Sequence, residues 1–166
     1  MKFLLSGVFF IVALSAYGQK YLLPNETNIF SFKTISGKQV VLSKDTANAY
    51  IIYRFGSASK VEFEYPADLK TSWKHFKYSF YLRGGGPDNA GMDLNNLYFE
   101  NNGFRYVIYN NYHAEGNVLE TGVFVIDLKT NKKTNIKADI KTRKGTLIDF
   151  RDNKLIEIID EFPDIP

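Results

Sequence analysis

The feature that most constrains this chain is strict alternation. In Lys60-Val61-Glu62-Phe63-Glu64-Tyr65 the apolar side chains occupy every second position, with Lys60, Glu62 and Glu64 between them, until Pro66 stops the run. Successive side chains of a strand point to opposite faces, so this segment predicts a strand with one face buried and one wet. The same period returns in His75-Phe76-Lys77-Tyr78-Ser79-Phe80-Tyr81-Leu82, which places Phe76, Tyr78, Phe80 and Leu82 inward and ends at Gly84-Gly85-Gly86. Further short apolar runs at 39–42, 49–55, 97–100, 104–109, 123–128, 134–137, 147–150 and 154–159 are separated by turn residues, and no window of a dozen residues carries a capped 3.6-residue period. Asn102-Gly103 predicts a type I′ hairpin turn between the runs at 97–100 and 104–109, because both central residues of that turn need positive φ. The expectation is an all-β protein, an antiparallel barrel or sandwich of about eight to ten short strands with little helix. Two hairpins close the reading: 123–128 with 134–137, and 147–150 with 154–159. Residues 84–96 read as a long loop and 162–166 as a frayed tail.

The N-terminus follows a different rule. Met1-Lys2 precedes an almost wholly apolar run from Phe3 to Ala16, shorter than the roughly 20 residues that a bilayer-spanning helix needs. Small residues at Ala16 and Gly18 suit signal peptidase. The expected organisation is a signal peptide over 1–18 and a single β domain over 19–166, exported to the periplasm or secreted, with no membrane span after cleavage. The chain has no cysteine, so neither a lipoprotein anchor nor a disulfide scaffold is available. Only Lys2 among the charged residues lies in the leader, so the mature chain is nearly neutral, which does not suggest a nucleic-acid partner. A β-propeller needs roughly 40 residues per blade, and 148 mature residues would not fill four.

Chemistry is sparse. The only histidines are His75 and His113, no Gly-x-Ser-x-Gly elbow exists, and Cys nucleophiles are excluded. His113 and Glu115 stand two apart but lack a third ligand, residues 88–95 lack the ligand order of a calcium loop, and the triple glycine lacks a phosphate loop's Lys-Ser/Thr. No metal or cofactor is expected. Glu62 and Glu64 are a carboxylate pair on one exposed strand face, whereas glycosidase carboxylates face each other across a cleft. The richest stretch runs from Arg105 to Glu115, where Tyr, Arg, Asn and His supply the aromatic area and directional hydrogen bonds of a recognition surface.

Asn102-Gly103-Phe104-Arg105-Tyr106 resembles the Ser-Gly-x-x-Tyr hairpin signature of periplasmic lysozyme inhibitors, through Gly103, Arg105 and Tyr106, with Asn102 at the serine position. Residues 50–56, 60–66 and 101–106 together also resemble uncharacterised exported bacterial all-β proteins. The first resemblance implies a non-enzymatic binding protein whose hairpin loop enters a lysozyme cleft. The expected partner-binding residues are Arg54, Asn101, Asn102, Gly103, Arg105, Tyr109, Tyr112 and His113. The partner is a protein, a lysozyme or a toxin neutralised by periplasmic immunity, or a glycan met by a carbohydrate-binding or carbohydrate-active protein. The leader makes a direct prediction: the intact mass of the exported protein will correspond to a chain starting at Gln19, and a mass retaining Met1 would refute the cleavage.

Overall fold

A computed structural model describes residues 21–86 and 89–160; the expected signal peptide at 1–18 and tail at 162–166 lie outside the described residues. Ten strands form one sheet: β1 (Glu26–Thr34), β2 (Gln39–Asp45), β3 (Ile51–Ser57), β4 (Lys60–Tyr65), β5 (Lys77–Arg83), β6 (Met92–Asn101), β7 (Phe104–His113), β8 (Val118–Asp127), β9 (Lys133–Gly145) and β10 (Glu157–Ile158). Their order is β10-β5-β6-β7-β8-β9-β1-β2-β3-β4. All neighbours are antiparallel except the short β10, which runs parallel to β5. The sheet curls into a half-barrel, which is the all-β antiparallel class that the alternation predicts.

Aromatic packing produces the curl. Phe63 and Tyr65 leave the edge strand β4 and meet Phe99 of β6 and Tyr106 of β7 across the interior. Tyr65 stacks on Phe99 at 4.3 Å, Phe99 on Tyr106 at 4.9 Å and Phe63 on Tyr106 at 5.2 Å between ring centroids. Tyr53 and Phe76 also reach Phe99, each at 5.3 Å. Around this hub the inner face buries Phe30, Leu42, Ile51, Tyr78, Leu97, Ile108 and Val123. Phe63 and Tyr65 thus take the inward side read from the sequence, while Glu62 and Glu64 face out to Lys38 and Arg54. Val61 is buried but lies outside this cluster, because a register shift pairs it with Gly56 where Phe63 pairs with the neighbouring Phe55.

Several local expectations are corrected. Residues 147–150 and 154–159 do not form a hairpin. A 3-10 turn at Ile148–Asp152 plugs the half-barrel instead, burying Leu147 and Phe150 three residues apart with the Phe150 N–H donating to the Leu147 carbonyl. A 3-10 turn has three residues per turn, so this spacing puts both side chains on one side. His75 ends a second 3-10 turn, Ser72–His75, and is not a strand residue. Residues 92–96 are not loop, because β6 begins at Met92. Its inward side chains Asp93 and Asn95 accept hydrogen bonds from the Arg151 guanidinium, which latches the plug, and the Tyr78 hydroxyl donates to Asn95 at 2.6 Å. Burial, the larger influence, pushes the Tyr78 phenol up to about 12, so it remains a donor. Leu82 and Phe80 are exposed, at 60% and 37%, because the plug meets Tyr78 through Phe150 and lays only the Arg151 guanidinium over the Phe80 ring.

Phe99 is 1% exposed and central to the stack. Phe99→Ala is expected to cost about 3–5 kcal/mol in urea unfolding, whereas Phe104→Ala, at the exposed hairpin base, should change stability by less than about 1 kcal/mol. Equal losses would show that the stack is not the hub of the core.

Candidate functional site

Asn102 and Gly103 have φ of 49° and 80°, as the type I′ turn requires, and their register pairs Asn101 with Phe104. The Gly103 carbonyl accepts the Leu128 N–H at 3.0 Å, which ties the tip to the end of β8. Below the tip, β5 starts opposite Tyr98, so Phe99 and Glu100 run past its end and are flanked by the 3-10 turn at Ser72–His75 and the end of β4. An open groove of about 430 Å³ results, with cationic Lys74, Lys77 and Arg105 along it, His75 beside them, and Tyr65, Tyr98, Phe99 and Ile159 as its apolar walls.

Among the described residues one carboxylate, Glu100, lines this groove. Arg105 lies opposite it across the two strands and donates to its Oε1 from Nε at 2.9 Å and from Nη2 at 2.7 Å. The guanidinium carbon sits 5.5 Å from the centre of the Tyr98 ring, and Nη1 has no hydrogen bond among the described residues. Arg105 is therefore oriented by a ring and a carboxylate while about a third of its side chain stays exposed. Lys77 reaches Glu157 at 3.4 Å, and the Lys74 ammonium has no partner among the described residues. His75 Nε2 is 3.1 Å from the Thr71 hydroxyl, and its ring meets Tyr65 edge on. Burial, then the charge of Glu100, pushes the Tyr65 phenol up, so it stays neutral near neutral pH. Chemically, the groove can accept an anionic group on a preset guanidinium between aromatic walls.

A scan against protein-family models, a search of curated proteins and a search of solved structures each returned no match.

The eight residues singled out from the sequence do not converge. Asn101, Asn102, Gly103 and Arg105 share the hairpin end of β7. Tyr112 and His113 stand at its other end, about 30 Å away for a ten-residue strand, and belong to different surroundings. There the Tyr112 hydroxyl donates to Asn117 at 3.3 Å, and His113 lies beside Glu120 at 3.9 Å in a cleft of about 290 Å³ shared with Arg83 and Glu115. Among the described residues no group of three or more His, Asp or Glu side chains is placed to hold a metal ion. Tyr109 faces away from the main core and is buried with Val107, Phe124 and Ile126; its hydroxyl donates to Asn135 at 2.9 Å. Its ring lies over Gly122 in the neighbouring strand, where a Cβ would come within 2.6 Å of the Tyr109 hydroxyl and the Ile136 carbonyl. Lys74, Lys77, His75 and Tyr65 join Arg105 only through the fold, and nothing in their local sequence signals that grouping.

Arg54 is 3% exposed and committed elsewhere. Its Nη1 and Nη2 donate to the two oxygens of Glu26 at 2.6 and 2.8 Å, and its Nε donates to Glu64 at 2.6 Å. Nη1 also reaches the Tyr21 carbonyl at 3.1 Å. The same nitrogen donates to the Ser43 hydroxyl at 3.3 Å. Glu26, Ser43, Arg54 and Glu64 come from β1, β2, β3 and β4, so the arginine clamps one end of the sheet. Glu26 also accepts from the Ser43 hydroxyl, the Tyr50 hydroxyl and the Leu23 N–H. Burial pushes the Glu26 carboxyl up, but the hydrogen bonds and charge of Arg54, with the Leu23 N–H and Tyr50, outweigh it and hold the carboxyl below its ordinary value.

A carboxyl depressed in the folded state adds stability above its unfolded pKa and loses it as pH falls through the folded value. Urea midpoints should therefore drop as pH falls below about 4.3. Glu26→Gln should cost about 3 kcal/mol at pH 7, because a buried arginine loses its partner, and should flatten the acid limb. Parallel loss of stability in both proteins from neutral to acid pH would show that this pair does not set the acid limit.

Proposed function

We propose that the protein is an exported, non-enzymatic binding protein whose β6–β7 hairpin and the basic groove at its base engage an acidic cleft of a protein partner, with a lysozyme-type glycoside hydrolase as the most concrete partner. The observation that carries this reading is the charge balance of the groove. Among the described residues Lys74, Lys77 and Arg105 meet two carboxylates, Glu157 beside Lys77 and Glu100 in the lining, and Glu100 leaves the Arg105 Nη1 unused. A partner carboxylate brought to Nη1 would complete a guanidinium already held over Tyr98, at little further cost in side-chain entropy. The tip at Asn101, Asn102 and Gly103 is narrow and is held by β8 through Leu128, so it can enter a cleft without being reordered. Tyr65 and Tyr98 supply apolar walls around the ion pair, as binding hot spots require.

This reading reduces the contact set. Arg105 and the tip residues remain in it, Lys74, Lys77 and Tyr65 join it, and Arg54, Tyr109, Tyr112 and His113 leave it for the reasons of burial and distance given above. Glu62 and Glu64 are each ion-paired on the outer face of β4, which favours binding over carboxylate catalysis.

Affinity capture against lysozymes of several types, with muramidase activity followed alongside, tests the proposal. Stoichiometric loss of activity is expected, with Arg105→Ala weakening the complex by about 2 kcal/mol, roughly thirtyfold. Inhibition unchanged by Arg105→Ala would remove the groove from the mechanism. Failure to bind any lysozyme would reject that partner, and capture of a toxin through the same residues would assign periplasmic immunity instead.

A further inference from the structure

The basic residues of this chain are unevenly placed. Seven of its 21 lysines and arginines fall between residues 129 and 145, with Asp139 the only acid among them. β9 carries five of these seven. Its register against β1 pairs Asp139 with Lys33 and Lys144 with Ser31, so β9 advances five residues while β1 advances two. The three extra residues form a bulge. Its backbone is held from within: the Thr142 hydroxyl accepts the Lys33 N–H at 2.8 Å and donates to the Asp139 carbonyl at 2.7 Å, and the Asp139 carboxylate accepts the Lys141 N–H at 3.2 Å. Alternation breaks at this point. Arg143 donates to Asn110 at 2.8 Å, while Lys141 and Lys144 remain exposed.

Beside the bulge lies a groove of about 360 Å³ lined by Ser31, Lys33, Gln39, Lys141, Thr142 and Lys144 over the buried Val41, and no carboxylate among the described residues lines it. The ammonium groups of Lys33, Lys141 and Lys144 have no hydrogen-bond or ion-pair partner among the described residues. Three free cations on a preformed concave surface, with a hydroxyl and an amide between them, fit an anionic chain that also offers hydroxyl groups. The apolar residues of the lining are buried, with Phe32, Val40 and Val41 each at most 8% exposed, so there is nothing to insert into a lipid surface. No aromatic ring is exposed there to stack on a base. Ile140 is exposed on the bulge but does not line the groove.

We propose that the groove between β9 and β1–β2 binds an acidic polysaccharide, with Lys33, Lys141 and Lys144 pairing its carboxylate or sulfate groups and Ser31 and Gln39 its hydroxyls. The site is independent of the β6–β7 groove, since the two share no residue. Each can fail without the other.

The test measures binding of the purified protein to a galacturonate oligosaccharide, a sulfated heparin oligosaccharide, a neutral glucan of the same length, and vesicles rich in phosphatidylglycerol. Binding to at least one acidic oligosaccharide and not to the neutral glucan is expected, weakening as salt rises. The triple variant Lys33→Gln, Lys141→Gln, Lys144→Gln should bind about tenfold more weakly, while Lys70→Gln, an exposed lysine elsewhere, should bind as the parent does. Because all three substituted side chains are exposed, circular dichroism of the variant should match the parent. No preference for the acidic oligosaccharides over the neutral glucan, undiminished binding by the triple variant, or tighter capture by the vesicles would each overturn the proposal.

Discussion

The stack that joins β4 to β6 and β7 is the contact on which the rest of the molecule depends. In sheet order β4 is one edge, and β6 lies only two strands from the other. A flat sheet would hold these strands tens of ångströms apart, since neighbours are about 4.8 Å apart. Centroid distances of 4.3 to 5.2 Å among Tyr65, Phe99, Tyr106 and Phe63 require the sheet to wrap round until its ends meet through rings. Closure by packing, without a ladder of hydrogen bonds, leaves two edges. β4 carries Lys60, Glu62 and Glu64 on its outer face, which discourages pairing with another chain, and β10 covers the first residues of β5. The gap beside the seam, where β5 stops short of Glu100, becomes the basic groove. Phe99 thus belongs to the core and to the wall of the candidate site at once.

Two polar clamps hold the curled sheet in register. Outside, Arg54 spans from Glu26 to Glu64 and links the strands at the β4 end; inside, Arg151 fastens the 3-10 plug to Asp93 and Asn95. Buried ion pairs add little net stability over an apolar equivalent, but removing one partner is costly because the other is left without compensation. Their effect here is on alignment. A one-residue slip of β3 would turn Arg54 into the aromatic interior and Tyr53 out of it, so the clamp and the core agree on one register only.

These clamps also account for what could and could not be read in the sequence. Where inward residues are aromatic, as at Phe63 and Tyr65, the period is plain and the strand is found. Where they are polar, as at Asp93 and Asn95, the same geometry looks like loop. β1 escapes notice for another reason: a register shift between Asn28 and Phe30 interrupts its alternation. At 147–150 the apolar residues suggest a strand, but burial of Leu147 and Phe150 follows a spacing of three. The candidate site was legible only where it is local. The Asn102-Gly103 turn and Arg105 are contiguous and were found, whereas Lys74, Lys77 and Tyr65 arrive from two other segments. Arg54 has the residue type of a recognition arginine; only the fold shows that Glu26, 28 residues earlier, occupies it.

Net charge misleads for the same reason. A formal +3 suggests a surface with no marked electrostatic preference, yet it is an average over basic segments and an acidic C-terminal stretch that includes Asp149, Asp152, Glu157 and Asp160. Exposed charges interact appreciably only within about 8–10 Å at ordinary ionic strength, so a partner meets the local balance and not the sum. Among the described residues, Lys74, Lys77 and Arg105 at the β6–β7 groove meet Glu100 in the lining and Glu157 beside Lys77, whereas the β9 groove is lined by four cations, Lys33, Lys141, Arg143 and Lys144, and by no carboxylate. The two sites differ in the groups beside the charge. Tyrosine walls and a guanidinium fork reward a single well-placed carboxylate in a shaped protein cleft, whereas flexible ammonium groups with a hydroxyl and an amide reward a repeating anion whose exact pose matters less. Different classes of partner for the two grooves follow from that contrast in chemistry, although both are basic.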